Sequence, residues 1–313
     1  MLFLPGPLKL PATVAIFDCG TNSVLLLVAR LRPNGKVSAL HQAKASPRLG
    51  EGLTGSGKLK PKAIVRTLRE MKKLKDRAVC FKPGLFLGLG TNIFRRARDG
   101  RAAARRLEKE LGFPFLVLSA SEEARLEFMG ATSGLKTNSK ITVIDVGGGS
   151  SEVIWGKGKK IEKKISLEIG AVRLKEKFVG MKNYDETGLQ KLHVEASRKI
   201  SKLKYKNGYR MSVLTGGTAT TLAAFSLGQK KYKSENVHGL KAKPEKLKNW
   251  LEKLSCLSLS DRERALFFDP ARADIIVPGG IILLEILKRL DVKKVIISDH
   301  GLRWGAAYSL LNR

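Results

Sequence analysis

Acidic residues are what this chain is shortest of: 28 Asp and Glu stand against 59 Lys and Arg, a formal net charge of +31 over 313 residues. That excess is far beyond what solubility needs and implies a polyanionic partner or environment. The lysine-dense patches at Lys157 to Lys164, Lys199 to Lys206 and Lys230 to Lys233 lie apart from one another. So diffuse a charge acts as a general field, and nucleic acid is not expected as a specific ligand. Cysteine is scarce as well. Cys19, Cys80 and Cys256 have no metal-ligand spacing and read as reduced thiols of a cytoplasmic protein. Long apolar runs are missing: the best, Ile275 to Leu287, is interrupted by Pro278, two glycines and Glu285, short of the roughly 20 residues that span a bilayer. Met1 to Pro11 is apolar but lacks a basic start and is broken by Pro5, Pro7 and Pro11, so it does not read as a secretory signal. Neither a membrane partner nor an extracellular setting is expected.

What is present is glycine in particular places. From Lys140 a β-branched run ends at Asp145, passes through Gly147, Gly148, Gly149, Ser150 and Ser151, and resumes an apolar alternation at Glu152. This reads as strand, tight loop, strand. Glycines let backbone N–H groups converge on an anion, serine hydroxyls add donors, and flanking carboxylates suit a hard cation that neutralises phosphate. Thr13 to Ala29 repeats the grammar, with Asp18 at the strand end and Gly20, Thr21, Asn22 and Ser23 in the loop. About 70 residues beyond each aspartate, in units of the kind this spacing suggests, a further strand runs into a glycine turn, at Gly90-Thr91 and at Gly217-Thr218. The chain therefore reads as a duplicated α/β unit whose four turns face one phosphate-bearing ligand across a cleft.

Other segments fill in the two units. Asn34-Gly35 signals a hairpin turn, with a third strand over Lys36 to Ala43. Helical periodicity runs from Pro61 to about Leu74, Gly100 to Leu111, Tyr184 to Leu203, Lys243 to Leu254 and Ala273 to Leu290, in the last of which Pro278-Gly279-Gly280 is expected either to kink the helix or to allow close packing. Arg95, Arg96 and Arg98 fall in the first turns of a helix expected from about Asn92, where exposed N–H groups favour an anion. Ser119 to Arg125 has the form of a capped helix start. Its adjacent Glu122 and Glu123 read first as partners of the helix dipole.

Taken together, these motifs resemble the exopolyphosphatase and guanosine pentaphosphate phosphatase family. The likeness includes Arg48-Leu49-Gly50-Glu51-Gly52-Leu53, Glu122-Glu123-Ala124-Arg125, Gly170-Ala171-Val172-Arg173-Leu174 and Ser298-Asp299-His300-Gly301-Leu302-Arg303 besides the glycine turns. The resemblance implies two ribonuclease H-like domains of the actin, sugar-kinase and heat-shock-chaperone ATPase superfamily, with an interdomain cleft. On that pattern residues 1–124 with 302–313 form the first domain, and 125–301 the second, with helical insertions. It also implies that Glu123 is the general base, that Asp145 and Glu152 hold Mg2+, and that Asn22, Ser23, Arg95, Gly147, Gly148, Gly149, Ser150, Gly217 and Thr218 meet the substrate phosphates. Trp304 stands where the family has an acidic residue, and Gly90 to Phe94 is looser than its usual small-residue pattern; both departures bear on substrate contacts.

The expected function is release of the terminal phosphate of inorganic polyphosphate, the long polyanion that the net charge favours. Guanosine pentaphosphate is the close alternative. A superfamily ATPase or kinase and a non-catalytic polyanion-binding regulator are more distant ones. Members of this family commonly dimerise, and the apolar C-terminal helices offer a homodimer interface.

Overall fold

The structure, a computed structural model, describes residues 8–135, 139–158, 160–178, 184–204, 209 and 211–311, apart from the side chain of Thr54. Parts of the N-terminal stretch and of two lysine patches noted above, Lys157 to Lys164 and Lys199 to Lys206, lie outside them. In chain order the first elements are β1 (Ala12–Cys19), β2 (Val24–Leu31), β3 (Val37–Ala45), α1 (Leu53–Ser56), α2 (Pro61–Val79), β4 (Leu85–Gly90), α3 (Asn92–Arg96), α4 (Gly100–Leu111), β5 (Phe115–Val117) and α5 (Ala120–Thr132). Then follow β6 (Lys140–Val146), β7 (Ser151–Lys157), β8 (Lys160–Leu167), α6 (Ala171–Lys177), α7 (Glu186–Ile200), β9 (Met211–Thr215), α8 (Gly216–Ser226), α9 (Ser234–Val237), β10 (Leu240–Ala242), α10 (Pro244–Ser255), α11 (Leu259–Ala265), α12 (Ile276–Arg289), β11 (Lys294–Ile297) and α13 (Leu302–Leu311).

Two compact units result, residues 1–133 with 301–313 and residues 134–300. The boundary expected at 124/125 would cut α5 in its first turns. That helix stays whole in the first unit because it packs on α13 so closely that Gly130 lies against the Gly301 carbonyl and Gly305 against that of Leu126.

The first unit is a five-stranded sheet in the order β3-β2-β1-β4-β5, with β1, β2 and β3 antiparallel and β4 and β5 parallel to β1. Strict alternation explains how it is covered. Ala15, Phe17 and Cys19 of β1 join a core with Ile64, Leu68 and Met71 of α2 and Leu107 of α4, while Val14 and Ile16 join Leu126 of α5 and Trp304, Ala307 and Leu310 of α13. Both faces of β1 are therefore buried. Trp304 belongs to that second core, so this departure from the family pattern is absorbed by packing, and Arg303 beside it donates from Nη1 to the Leu26 carbonyl at 2.9 Å.

The second unit repeats the first. Its sheet runs β10-β11-β9-β6-β7-β8, so β8-β7-β6-β9-β11 reproduces the order and directions of β3-β2-β1-β4-β5, with β10 added at the edge. This is the ribonuclease H-like arrangement, present twice. The helical additions α6, α7, α8, α10 and α12 build one large core on Ile144, Val146, Val153, Trp155 and Leu214. Pro278 does not kink α12. It lies in that helix's first turn, where a missing N–H breaks no hydrogen bond. His238 and His300, isolated in sequence, stack with ring centroids 3.8 Å apart. Among the described residues no helix is long and apolar enough to cross a membrane.

Candidate active site

In the first unit the β1–β2 hairpin closes through Gly20, whose N–H donates to the Ser23 carbonyl at 2.9 Å. The loop is braced by a second one, since the Arg48 N–H donates to the Asn22 carbonyl at 3.0 Å and that of Gly50 to the Thr21 carbonyl at 2.8 Å. Gly50 is required there: a Cβ would collide with the Thr21 side chain. Asn22 and Ser23 are both nearly enclosed, and Asn22 Nδ2 donates to Ser23 Oγ at 3.2 Å while its Oδ1 has no partner among the described residues. A phosphate needs donors. Turning that amide by half a turn lets the Ser23 hydroxyl donate to Oδ1 and leaves Nδ2 to offer.

The two glutamates at the start of α5 have separate tasks. Glu122 closes a capping box, accepting the Ser119 N–H at 2.9 Å while Ser119 Oγ accepts the Glu122 N–H at 3.2 Å. Burial pushes its pKa up, but these hydrogen bonds outweigh that and hold the carboxyl below its ordinary value. Glu123 is not used in this way. Its Oε2 lies 2.6 Å from Arg95 Nη1, which also donates to the Leu118 carbonyl at 2.7 Å. The reading of both glutamates as dipole partners thus fits Glu122 alone. The helix expected to gather Arg95, Arg96 and Arg98 is a single turn, and Arg98 falls beyond it with its N–H on the Gly57 carbonyl at 3.0 Å. Arg95 faces a carboxylate rather than its own helix start. The Cys19 thiol, wholly buried, is pushed far up by burial and then by Asp18, and is inert.

In the second unit the β6–β7 hairpin places Asp145 and Glu152 directly opposite each other in register, and Asp145 also pairs with Thr215 of β9. Cross-strand partners carry their Cβ atoms about 5 Å apart on one face, so the two carboxylates are neighbours. Glu152 accepts from Ser166 Oγ at 3.0 Å. Gly216, at φ +77, gives Asp145 its room, since a Cβ there would run into Asp145 Oδ1. The glycine triplet is only partly available. The Gly147 N–H closes the hairpin on the Ser150 carbonyl at 3.0 Å. The carbonyls are used too: that of Gly147 accepts from Ala171, and that of Gly148 from Val172 and Arg173, at 2.9 to 3.1 Å. Gly170 permits this seating, because a Cβ would strike the Gly148-Gly149 peptide. The amides of Gly148 and Gly149 have no acceptor among the described residues and remain for an anion.

Thr218 divides its donors. Its hydroxyl donates to the Val146 carbonyl at 3.0 Å, so it has only its backbone N–H to offer. That N–H and those of Gly216 and Gly217 form the first turn of α8, where no intrahelical acceptor exists. One residue that the sequence did not signal joins them. The guanidinium of Arg272, nearly buried, lies so close over Gly217 that a Cβ there would occupy its place, and Asp269 Oδ2 holds its Nε at 3.1 Å. Nothing in the spacing of Asp269-Pro270-Ala271-Arg272 announces it.

Comparison with known proteins agrees with this reading of the fold. The profile of the Ppx/GppA phosphatase family matches residues 27–313. The chain belongs to that family. It is 26% identical to exopolyphosphatase 2 of Mycobacterium tuberculosis over 330 aligned positions, covering 95% of this chain and 98% of that protein. The crystal structure of the Aquifex aeolicus Ppx/GppA family member superimposes with a TM-score of 0.79 at 29% identity, covering 95% and 97% of the two chains. An exopolyphosphatase structure from Cytophaga hutchinsonii shares the fold at a TM-score of 0.83 and 23% identity, over 96% and 98%. The chain is thus a hydrolase of the Ppx/GppA type, and the kinase and non-catalytic readings fall away.

Proposed function

We propose that this family member releases the terminal phosphate of inorganic polyphosphate, with Glu123 taking the proton of the attacking water. The observation that carries the assignment is the division between the paired glutamates: Glu122 is consumed by the helix cap, and Glu123 is held beside Arg95 at 2.6 Å. An ionised carboxylate accepts and does not donate, so it suits proton abstraction. Arg95 fixes its direction and supplies positive charge to a substrate oxygen. No covalent nucleophile is needed, because phosphoryl transfer depends mainly on alignment and preorganised charge.

In the second unit phosphate would be met by the Gly148 and Gly149 amides, the first turn of α8, Arg272 and Ser150, and in the first unit by the Asn22 and Ser23 loop. Asp145 and Glu152 fit Mg2+. Two neighbouring carboxylates with oxygen ligands only are what that ion takes when substrate phosphates and water complete its shell. Once bound, it would neutralise phosphate charge. The net charge of +31 supports a long polyanion over a nucleotide, since basic side chains beyond the site can hold successive phosphates.

Phosphate release from polyphosphate and from guanosine pentaphosphate, assayed side by side over a range of salt, tests the proposal. Faster turnover of polyphosphate with a steep salt dependence is expected. Preference for guanosine pentaphosphate would assign the nucleotide as substrate instead, and release from neither would refute the proposed activity.

A further inference from the structure

We infer that Arg173 is a phosphate-contacting residue of the second unit, kept in place by Glu168 until substrate arrives. The inference rests on the proposal above that the glycine loop receives substrate phosphate. Arg173 belongs to the Gly170-Ala171-Val172-Arg173-Leu174 motif, for which the site so far has used only backbone. Its N–H donates to the Gly148 carbonyl at 3.1 Å, which anchors the residue on the loop itself. Its side chain is about three-quarters withdrawn from solvent, at 24% exposure. One guanidinium nitrogen, Nη1, is enclosed with no acceptor among the described residues. The other, Nη2, reaches Glu168 Oε2 at a loose 3.4 Å, and that carboxylate is 77% exposed.

The energetics of this pair are one-sided. An enclosed N–H without a partner costs more than a made hydrogen bond returns, so Nη1 favours any acceptor that reaches it. The bridge to Glu168 is of the exposed kind that contributes little. A phosphate presents more charge and several oxygens, and the planar fork of a guanidinium binds two of them at once.

Position supports the exchange. Glu168 follows Leu167, the register partner of Ser151, and precedes Ile169, whose carbonyl accepts the Ser151 hydroxyl at 2.7 Å. Arg173 and Glu168 are therefore fastened to the two limbs of the same glycine-serine loop, one at Gly148 and one at Ser151. Phosphate entering that loop competes directly with Glu168 for the guanidinium.

Steady-state phosphate release by the full chain tests this with three variants, using whichever of polyphosphate and guanosine pentaphosphate the unaltered protein hydrolyses. Arg173→Gln is expected to raise KM about tenfold or more, the worth of one charge-assisted hydrogen bond. Arg173→Lys should restore part of the loss, and Glu168→Gln should lower KM, because the competitor is gone. A bridge that merely supports the fold would move KM in the same direction in Arg173→Gln and Glu168→Gln and lower both melting temperatures. Parallel shifts, or no shift in either variant, would overturn the inference. If the unaltered protein hydrolyses neither substrate, the proposed function fails, and calorimetric binding of tripolyphosphate then decides the inference alone. Weaker binding by Arg173→Gln than by the unaltered chain supports it, and equal binding overturns it.

Discussion

The two units are built on one plan and equipped differently. In the first, the Thr91 hydroxyl donates to the Cys19 carbonyl at 3.3 Å; in the second, the Thr218 hydroxyl donates to that of Val146 at 3.0 Å. Both bonds span 72 residues, and both tie the turn after a parallel strand to the residue following the aspartate of the hairpin. What surrounds this shared latch has diverged. Asp18 has Leu25 opposite it in register, whereas Asp145 has Glu152, so at this hairpin position the second unit carries a carboxylate pair and the first does not. The hairpin loop of the first unit contains one glycine between Cys19 and Val24 and is braced by Arg48 and Gly50. That of the second has three and is seated on the start of α6. Conversely, the first unit holds a glutamate at the start of α5 against an arginine, Glu123 on Arg95 at 2.6 Å. Duplication supplied two similar turns, and the roles proposed above are divided between them, with Glu123 and Arg95 in the first and the Asp145–Glu152 pair and the glycine amides in the second.

That division is most directly broken at Glu123. Glu123→Gln keeps size and polarity but cannot accept a proton, so kcat should fall on the order of 10²- to 10⁴-fold, while polyphosphate binding measured by calorimetry stays near that of the unaltered protein. Equal loss of binding would return Glu123 to the phosphate-holding side of the comparison. On the other unit, Asp145→Asn or Glu152→Gln should raise the Mg2+ concentration for half-maximal activity by about tenfold or more, a loss at least as large as that for residues outside the ligand shell. A Mg2+ titration unchanged in both variants would remove the cation from the second unit. Gly216→Ala asks whether the aspartate owes its place to the missing side chain. The φ of +77 alone costs about 1–2 kcal/mol with a Cβ present, and the methyl displaces Asp145, so a lower melting temperature should accompany a weakened Mg2+ response. A stability loss with the Mg2+ titration intact would separate the fold of that turn from its chemistry.

Much of this plan was legible in the chain because it rests on local physics. Strands ending in Asp18 and Asp145, glycine turns near 90 and 217, and the cap at Ser119 each follow from residue types a few positions apart. What stayed hidden depends on distant partners. Ser119, three positions before it, marks Glu122 as the capping residue, but the partner of Glu123 is Arg95, 28 positions away, which no local pattern announces. That the Gly147 N–H bonds to the Ser150 carbonyl and the Thr218 hydroxyl to that of Val146 could not be read from residue type, because each partner is fixed by the folded loop. Arg272 came to the α8 turn through tertiary packing that no motif encodes, and the short β10 escaped notice because three residues carry too little alternation to read.

The finest comparison concerns the latch itself. If it is the same device in both units, Thr91→Val and Thr218→Val should each lower stability by an amount set by the carbonyl left without its donor, about 1–3 kcal/mol when that carbonyl is sealed from water. The two sites differ in that respect. Thr218 is almost wholly enclosed and its bond is 3.0 Å, whereas Thr91 is only half-buried with a bond of 3.3 Å, and the Cys19 carbonyl also accepts the Thr91 N–H at 3.3 Å. Removing the Thr91 hydroxyl therefore leaves Cys19 one donor, while Val146 loses the one its latch provides. Urea denaturation should place the Thr218→Val loss above that of Thr91→Val, which should be near 1 kcal/mol or less. Equal losses would mean that the second hydrogen bond to Cys19 contributes nothing, and that the latches are alike in strength as well as in position.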